Sequence, residues 1–346
     1  MLHISDTAYP RLKSHPNEAE LDALFTPTLA EMAFALKQTR RPGPRVALLV
    51  LLKTFQRLGY FPRFADVPLA VIKQIAAAAE CPEVGAEIRG YDNSTYRMRQ
   101  MNQVRIFLSV SAFDDAARRL VVEASVAAAR TRDDLADIIN IAIEELVRHR
   151  YELPAFSTLV RIARTARSTV NRGLHRRIAA SLTDATKARL QQLLQRPVGE
   201  SRTPWDRVKA EPQKPTLPHF RVFLDHLHWL RMQSEGTRVF DGIPDVKVSQ
   251  FAAEARALNA AVMNELVEPK QLTLMAALLQ RQAARALDDV ATLFIRQVQK
   301  MHNHAVEALQ RYQVEQADQV DALIGLLRET VLAYQTDVPL GKSVKS

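Results

Sequence analysis

The sequence predicts an all-α protein built from several helical domains. Three observations carry that prediction. Glycine is scarce, with 10 residues in 346, while Ala, Leu, Arg and Gln are abundant, and these residues favour helices. Apolar positions recur at three- and four-residue spacing over long stretches, and no alternating strand pattern of useful length appears. Proline-bearing breaks such as Arg41-Pro42-Gly43-Pro44 and Tyr151-Glu152-Leu153-Pro154 divide those stretches at helix-sized intervals.

Taken in order, Pro27 opens a helix that ends before the rigid turn at Pro42-Gly43-Pro44. A second helix runs from about Arg45 to Leu58, where Gly59 supplies a C-terminal stop. Asp66 and Pro68 read as the cap and first turn of a third helix reaching Glu80. These helices define a first small helical domain, residues 1–82, whose last helix presents Lys73 and Gln74. Cys81-Pro82 to Asp92 reads as a linker.

A second helical domain, residues 91–182, contains helices over about Ser94–Leu108, Asp114–Ala129, Asp133–Arg150 and Ser157–Ala180. Asp133, Asp134 and Asp137 open the third of these and Arg148, His149 and Arg150 close it, a polarity that suits the helix dipole. Pro154 forces a turn, and Ser157 or Thr158 is placed to cap the fourth helix. Helix, turn and capped helix is the order of a helix-turn-helix, here without the compact glycine-containing turn.

Charge concentrates on that last helix. Leu146 to Ala180 carries eight arginines and one acid, Glu152, which is +7 of the chain's net +9. Leu159, Ala163, Ala166, Val170, Leu174 and Ile178 form one apolar face at 3.6 residues per turn. Arg161, Thr165, Ser168, Arg172 and Arg176 fall opposite, with Arg164 on the flank. Such a helix packs on one face and offers phosphate and base contacts on the other. A solvated basic face on a structural helix explains the charge alone equally well. Ser157, Thr158, Arg161 and Arg164 lie near the start of the reading helix, followed by Thr165 and Ser168. Arg172 and Arg176 are placed as phosphate clamps, with Arg97, Arg99 and Arg105 on the first helix of this domain as further phosphate contacts.

Beyond the basic block the charges balance, with 13 basic against 11 acidic residues over 181–270 and eight against eight over 271–346. Residues 183–268 read as a helical linker region, with Trp205 as a core anchor, a broad apolar face at Phe220, Phe223, Leu224, Leu227 and Leu230, and a helix opened by Pro244. Pro269 begins a long helix, and residues 269–346 read as a dimerisation or scaffold region. Its stripe of Leu272, Met275, Leu279, Leu287, Val290, Phe294, Val298, Met301 and Leu309 keeps no strict heptad, which favours a bundle over a coiled coil.

Catalytic and metal patterns are weak. Asp114-Asp115, Asp133-Asp134 and Asp288-Asp289 are adjacent helical residues that diverge by roughly 100° and suit solvated or capping roles. Two-metal chemistry needs carboxylates converging from separate elements. His226-x-His228 and His302-x-His304 point to different sides of a helix and have no third ligand at metal spacing. Gly341-Lys342-Ser343 has Thr336 where a phosphate-binding loop needs glycine. Tyr60, Tyr91, Tyr96 and Tyr151 lie near turns, where local packing is the default and a phosphate contact the alternative. No apolar run reaches the length of a membrane span, and the lone Cys81 suits a reducing cytoplasm.

Several strings carry a family resemblance. Leu48 to Pro62 (LLVLLKTFQRLGYFP), Ala65 to Pro68 (ADVP), Tyr91 to Ser94 (YDNS), Tyr151 to Arg164 (YELPAFSTLVRIAR), Thr203 to Lys209 (TPWDRVK), Leu224 to Leu230 (LDHLHWL), Phe251 to Leu258 (FAAEARAL) and Ala286 to Val290 (ALDDV) resemble, in the same order, the N-terminal region of the Tn-three family of replicative bacterial transposases. The resemblance implies two domains that bind the double-stranded DNA of transposon ends at their terminal inverted repeats. It further implies helical linker and dimerisation regions, a homodimer or transposase assembly, and a cytoplasmic, nucleoid-associated location. The bland Ile75–Ala79 run (IAAAA) departs from the family and bears on base reading by the first domain. The family's Asp-Asp-Glu metal site lies on a core beyond the matched region, and Val338 to Ser343 does not continue the pattern. The expectation is therefore a DNA-binding chain inactive in catalysis alone, with no cofactor of its own, Mg²⁺ belonging to that core, and no small-molecule substrate or membrane partner. The alternative is a helical interaction or regulatory protein of a mobile element with little specific DNA affinity.

Overall fold

A computed structural model of the chain describes residues 3–93, 95–211 and 217–335. Ser94, Thr336 and the segment from Val338 to Ser343 lie outside the described residues. Among the described residues there are fourteen α-helices and no β-strand; an isolated bridge joins Ser111 and Tyr151. The fold is all-α. Cys81 is buried and free, and no described helix is long and apolar enough to cross a membrane.

The chain divides into two compact units. The first takes in the chain up to Ser181 with Phe240–Phe251 and Glu268–Lys270; the second takes in Leu182–Val239, Ala252–Val267 and the chain from Gln271.

The first unit opens with α1 (Glu18–Phe25), α2 (Leu29–Gln38), α3 (Pro42–Leu58) and α4 (Leu69–Ala78). Asn17 with Glu20 and Thr28 with Glu31 form capping boxes at α1 and α2. Helix α3 is buried on nearly every side from Val46 to Phe55 and is the core of this group. Within it Lys53 pairs with Glu31 at 3.3 Å, and Gln56 donates to the same carboxylate. Gly59 ends α3 at φ 71°, the left-handed region that favours glycine. Asp66 ends a 3-10 turn rather than capping α4, whose cap position is Pro68, and Glu80 leaves that helix at φ 58°.

The stretch Pro82–Asn93 is 3-10 helix, and α5 (Thr95–Leu108) comes next. Helix α5 packs on α3 and on Pro82–Asn93, so Val104 joins the core of α1–α4 rather than the next core. That next core belongs to α6 (Asp115–Thr131), α7 (Leu135–Arg148) and α8 (Phe156–Ser181). It is filled by Val121, Ile138, Ile139, Leu146, Leu159 and Ala163, and Tyr9 packs into it. Asp114 and Asp134 cap α6 and α7 by accepting from the N–H groups of Ala117 and Ala136.

In the second unit, α9 (Asp184–Gln192), α10 (Pro204–Val208) and α11 (Leu217–Gln233) precede α13 (Ala260–Asn264); α12 (Asp245–Ala257) begins in the first unit and ends in the second. Trp205 is fully buried, and its indole N–H donates to Leu258 O at 3.0 Å. Helix α14 (Glu268–Gln335) has 68 residues, roughly 100 Å of helix at 1.5 Å per residue. From Gln271 to Leu279 it is buried all round, as a bundle helix should be. The bundle does not continue. Past Leu293 the described residues are exposed except for half-buried Gln297, and Phe294, Val298, Met301 and Leu309 face solvent.

Candidate nucleic-acid interface

Helix α8 has 26 residues, six arginines and no acid. Leu159, Ala163, Ala166 and Ile178 are buried as the apolar period requires, joined by Ile162, His175 and Ala179. Ser157, Arg161, Arg164, Thr165, Ser168, Arg172 and Arg176 are exposed, and Thr158 is half-buried. One side of the helix is therefore fixed in the core, while the other presents guanidinium groups and hydroxyls along several turns. The Thr165 hydroxyl donates to Arg161 O at 2.9 Å, and Arg172 lies 3.5 Å from the Ser168 hydroxyl. The helix starts at Phe156, so Ser157 and Thr158 sit within its first turn rather than at the cap position, and Thr158 N–H donates to Ala155 O.

The turn before α8 sets its angle. Two residues past the end of α7, Arg150 at φ 55° takes the left-handed position usually held by glycine, and Tyr151 N–H donates to Leu146 O at 2.9 Å. Ser111 N–H donates to Arg150 O, Glu152 N–H to Ser111 O, and Leu153 N–H to Gly59 O at 2.7 Å. The Tyr9 hydroxyl donates to Pro154 O at 2.9 Å, and its ring stacks on Tyr60 and meets Phe156 edge-on. Burial pushes the Tyr9 phenol up, with Tyr60 adding to it, so it remains a donor throughout the physiological range.

A second anchor grips the middle of α8. Lys247 of α12, with no exposed side-chain surface, donates to Asp133 Oδ1 at 2.6 Å and to Asn171 Oδ1 at 3.0 Å. Asn171 donates to the same Asp133 oxygen, and Arg167 donates to Asp133 O. Burial raises the Asp133 carboxyl, but hydrogen bonds from Asn171 and Lys247 and the charges of Lys247 and Arg167 outweigh it and hold it below the ordinary carboxylate range. Asp133 is thus a half-buried structural anion, not the solvated or capping residue its position in the sequence suggests. Its partner lies 114 residues away, and no local pattern announces it.

The other sequence candidates divide. Arg99 and Lys73 are exposed. Arg97 donates to Pro62 O at 2.8 Å, pairs with Asp92 at 3.5 Å and lies over the Phe64 ring. Arg105 pairs with Glu152 at 2.8 Å and lies over Phe61. Both guanidiniums are mostly buried and bind the framework that carries α8. Gln74 donates to Asp22 and Thr26 of the α1 region. Sequence reading missed Arg118 of α6, which with Val122, Val126, Arg161, Ile162 and Thr165 lines a groove between α6 and α8. Among the described residues no three His, Cys, Asp or Glu side chains are grouped for a metal ion.

Comparison with known proteins fits this architecture. Residues 3–166 match a family described as Domain of unknown function (DUF4158). The chain is 22% identical over 271 residues to the transposase for transposon Tn501 of Pseudomonas aeruginosa, covering 78% of this chain and 27% of that protein. It is 23% identical over 205 residues to the transposase for transposon gamma-delta of Escherichia coli strain K12, covering 58% and 20%, respectively. The transposase for transposon Tn21 of Escherichia coli is 22% identical over 273 residues, again 78% of this chain and 27% of the relative. The matched class is thus the transposases of bacterial transposons, and this chain spans about a quarter of their length. These similarities agree with the resemblance drawn from the sequence strings.

Proposed function

We propose that the chain binds double-stranded DNA at transposon terminal inverted repeats, with α8 as the reading helix. The observation that carries this reading is the exposed, acid-free face of α8, fixed on its other side by a core and by two polar anchors. A guanidinium reads guanine by two parallel hydrogen bonds in the major groove, and the same group grips phosphate oxygens without regard to sequence. Arg161 and Arg164, in the early turns with Ser157, Thr158, Thr165 and Ser168, are assigned to the bases. Arg172 and Arg176, farther along, are assigned to phosphates. Arginine–phosphate contacts need no metal, so binding proceeds with a chelator present.

The test is competition between a duplex carrying the terminal repeat of the element that encodes the chain and a random duplex of equal length. Arg161→Ala and Arg164→Ala should each relax the preference by about 1–3 kcal/mol. Arg172→Ala should weaken both duplexes alike. Equal losses on both duplexes for all three variants would reduce α8 to a backbone grip and sink the base-reading assignment.

The distal part of α14 supports assembly as a second element of this reading. Phe294, Ile295, Val298 and Met301 are exposed on a helix whose early turns are fully packed. A second copy of the chain, seated on these residues, would place two reading helices on one DNA complex.

A further inference from the structure

The turn from α2 to α3 carries Arg40 and Arg41, both exposed. With Gln38, Pro44, Tyr91 and Tyr96 they line an open cleft of about 480 Å³. The walls are held in place. Gln103 of α5 donates to Gln38 Oε1 at 2.7 Å, the Thr39 hydroxyl donates to Ala35 O, and Pro42 and Pro44 stiffen the first turn of α3. Gly43 allows the close approach of Tyr91, because a Cβ built there would lie 3.3 Å from the phenol oxygen. Among the described residues no carboxylate lines the cleft, and neither Arg40 nor Arg41 forms a side-chain ion pair or hydrogen bond with another described residue. Arg99 is exposed on α5 one turn beyond Tyr96 and extends the positive edge. On the same helical group α4 offers exposed Lys73, while Gln74 is engaged with Asp22 and Thr26.

We infer that this cleft is a second DNA contact, one that holds the phosphate backbone of a duplex without reading its bases; the inference rests on the proposed DNA-binding role of α8. Two guanidiniums without a described partner supply charge-assisted donors, and the Tyr96 phenol adds a neutral one. The cleft is open, and its described lining holds no buried charge to select one small anion, which suits a continuous run of phosphates. Its position among α2, α3 and α5 gives the first helical group a DNA contact that does not depend on the Ile75–Ala79 face, whose Ile75 and Ala76 are buried.

The test uses the full chain with Arg40→Ala/Arg41→Ala and with Arg40→Lys/Arg41→Lys, titrated against the terminal-repeat duplex and a random duplex from 50 to 200 mM salt. The alanine pair should lose affinity for both duplexes by the same factor. Its slope of log affinity against log salt should become shallower by nearly 2, at about 0.9 per phosphate contact. The lysine pair should keep most of the slope, and both variants should melt like the wild type. Unchanged slope and affinity in the alanine pair, with the wild type binding normally, would overturn the cleft and leave α8 standing. Loss on the terminal repeat alone would make the cleft a base reader and overturn the inference as stated. Binding of a polyglutamate probe with the same arginine dependence, and no change on DNA, would give the cleft to an acidic protein instead. Failure of the wild type to bind either duplex would remove both readings together.

Discussion

The ammonium of Lys247 sits 2.6 Å from Oδ1 of Asp133, and the lysine side chain has no exposed surface. The pair joins the start of α12 to the residue just before the α7 cap, and Asn171 brings α8 into the same network. Removing one partner of a buried ion pair costs more than the pair contributes, because the other charge is left without compensation. Asp133→Asn strands the fully buried ammonium and should cost roughly 3–5 kcal/mol. Lys247→Met leaves Asp133 with Asn171 and Arg167, so the smaller loss of about 1–3 kcal/mol is expected. Denaturant titrations of the two variants should rank them in that order, and the reverse order would contradict the described network.

Acid titration gives a second check on the same residue. Because the folded Asp133 carboxyl is held below its ordinary value, it contributes stability that is present above the unfolded value of about 4 and is lost as pH falls through the folded one. Wild-type stability should therefore drop in acid with a component that Lys247→Met diminishes. An identical acid profile in the two proteins would show that Lys247 does not depress Asp133.

Arg150 occupies the left-handed position two residues past the end of α7 with φ 55°. A non-glycine residue there costs about 1–2 kcal/mol, part of which glycine recovers despite its greater freedom in the unfolded chain. Arg150→Gly should thus be neutral or stabilising by up to about 1 kcal/mol, whereas Arg150→Val should destabilise. If calorimetry shows the glycine variant well below wild type, Arg150 contributes through its guanidinium rather than its backbone.

Charge placed on the exposed stripe of α14 tests assembly. Val298→Glu/Met301→Glu should abolish concentration-dependent self-association in sedimentation without lowering the melting temperature, since both side chains already face solvent. A wild-type chain that stays monomeric at high concentration would remove the assembly proposal.

Much of the fold is legible from local chemistry. Gly59 marks the end of α3 as read, and the apolar period of α8 identifies its buried side. Pro42-Gly43-Pro44, read as a turn before a helix from about Arg45, instead forms the first turn of α3, because proline is tolerated where helix N–H groups have no partner. The fate of individual arginines is less legible. Arg97 and Arg105 look like Arg161 in sequence, yet their partners are Pro62, 35 residues away, and Glu152, 47 residues away. An acid-free neighbourhood marks a cation as local surface only when the tertiary fold brings no acceptor to it. For the same reason Asp133 reads as a helix-start acid until α12 delivers Lys247. On α14 the apolar stripe is plain in the sequence, but its period does not say which half is covered.

The most direct measurement of the central claim is the salt dependence of duplex binding by the intact chain. If α8 and its neighbours neutralise about six phosphates, affinity should fall roughly 10³-fold or more between 50 and 200 mM salt. Arg172→Ala/Arg176→Ala should flatten that dependence while leaving the preference for the terminal repeat in place. A flat response of the wild type over this range would contradict the account and leave α8 a solvated face on a structural helix.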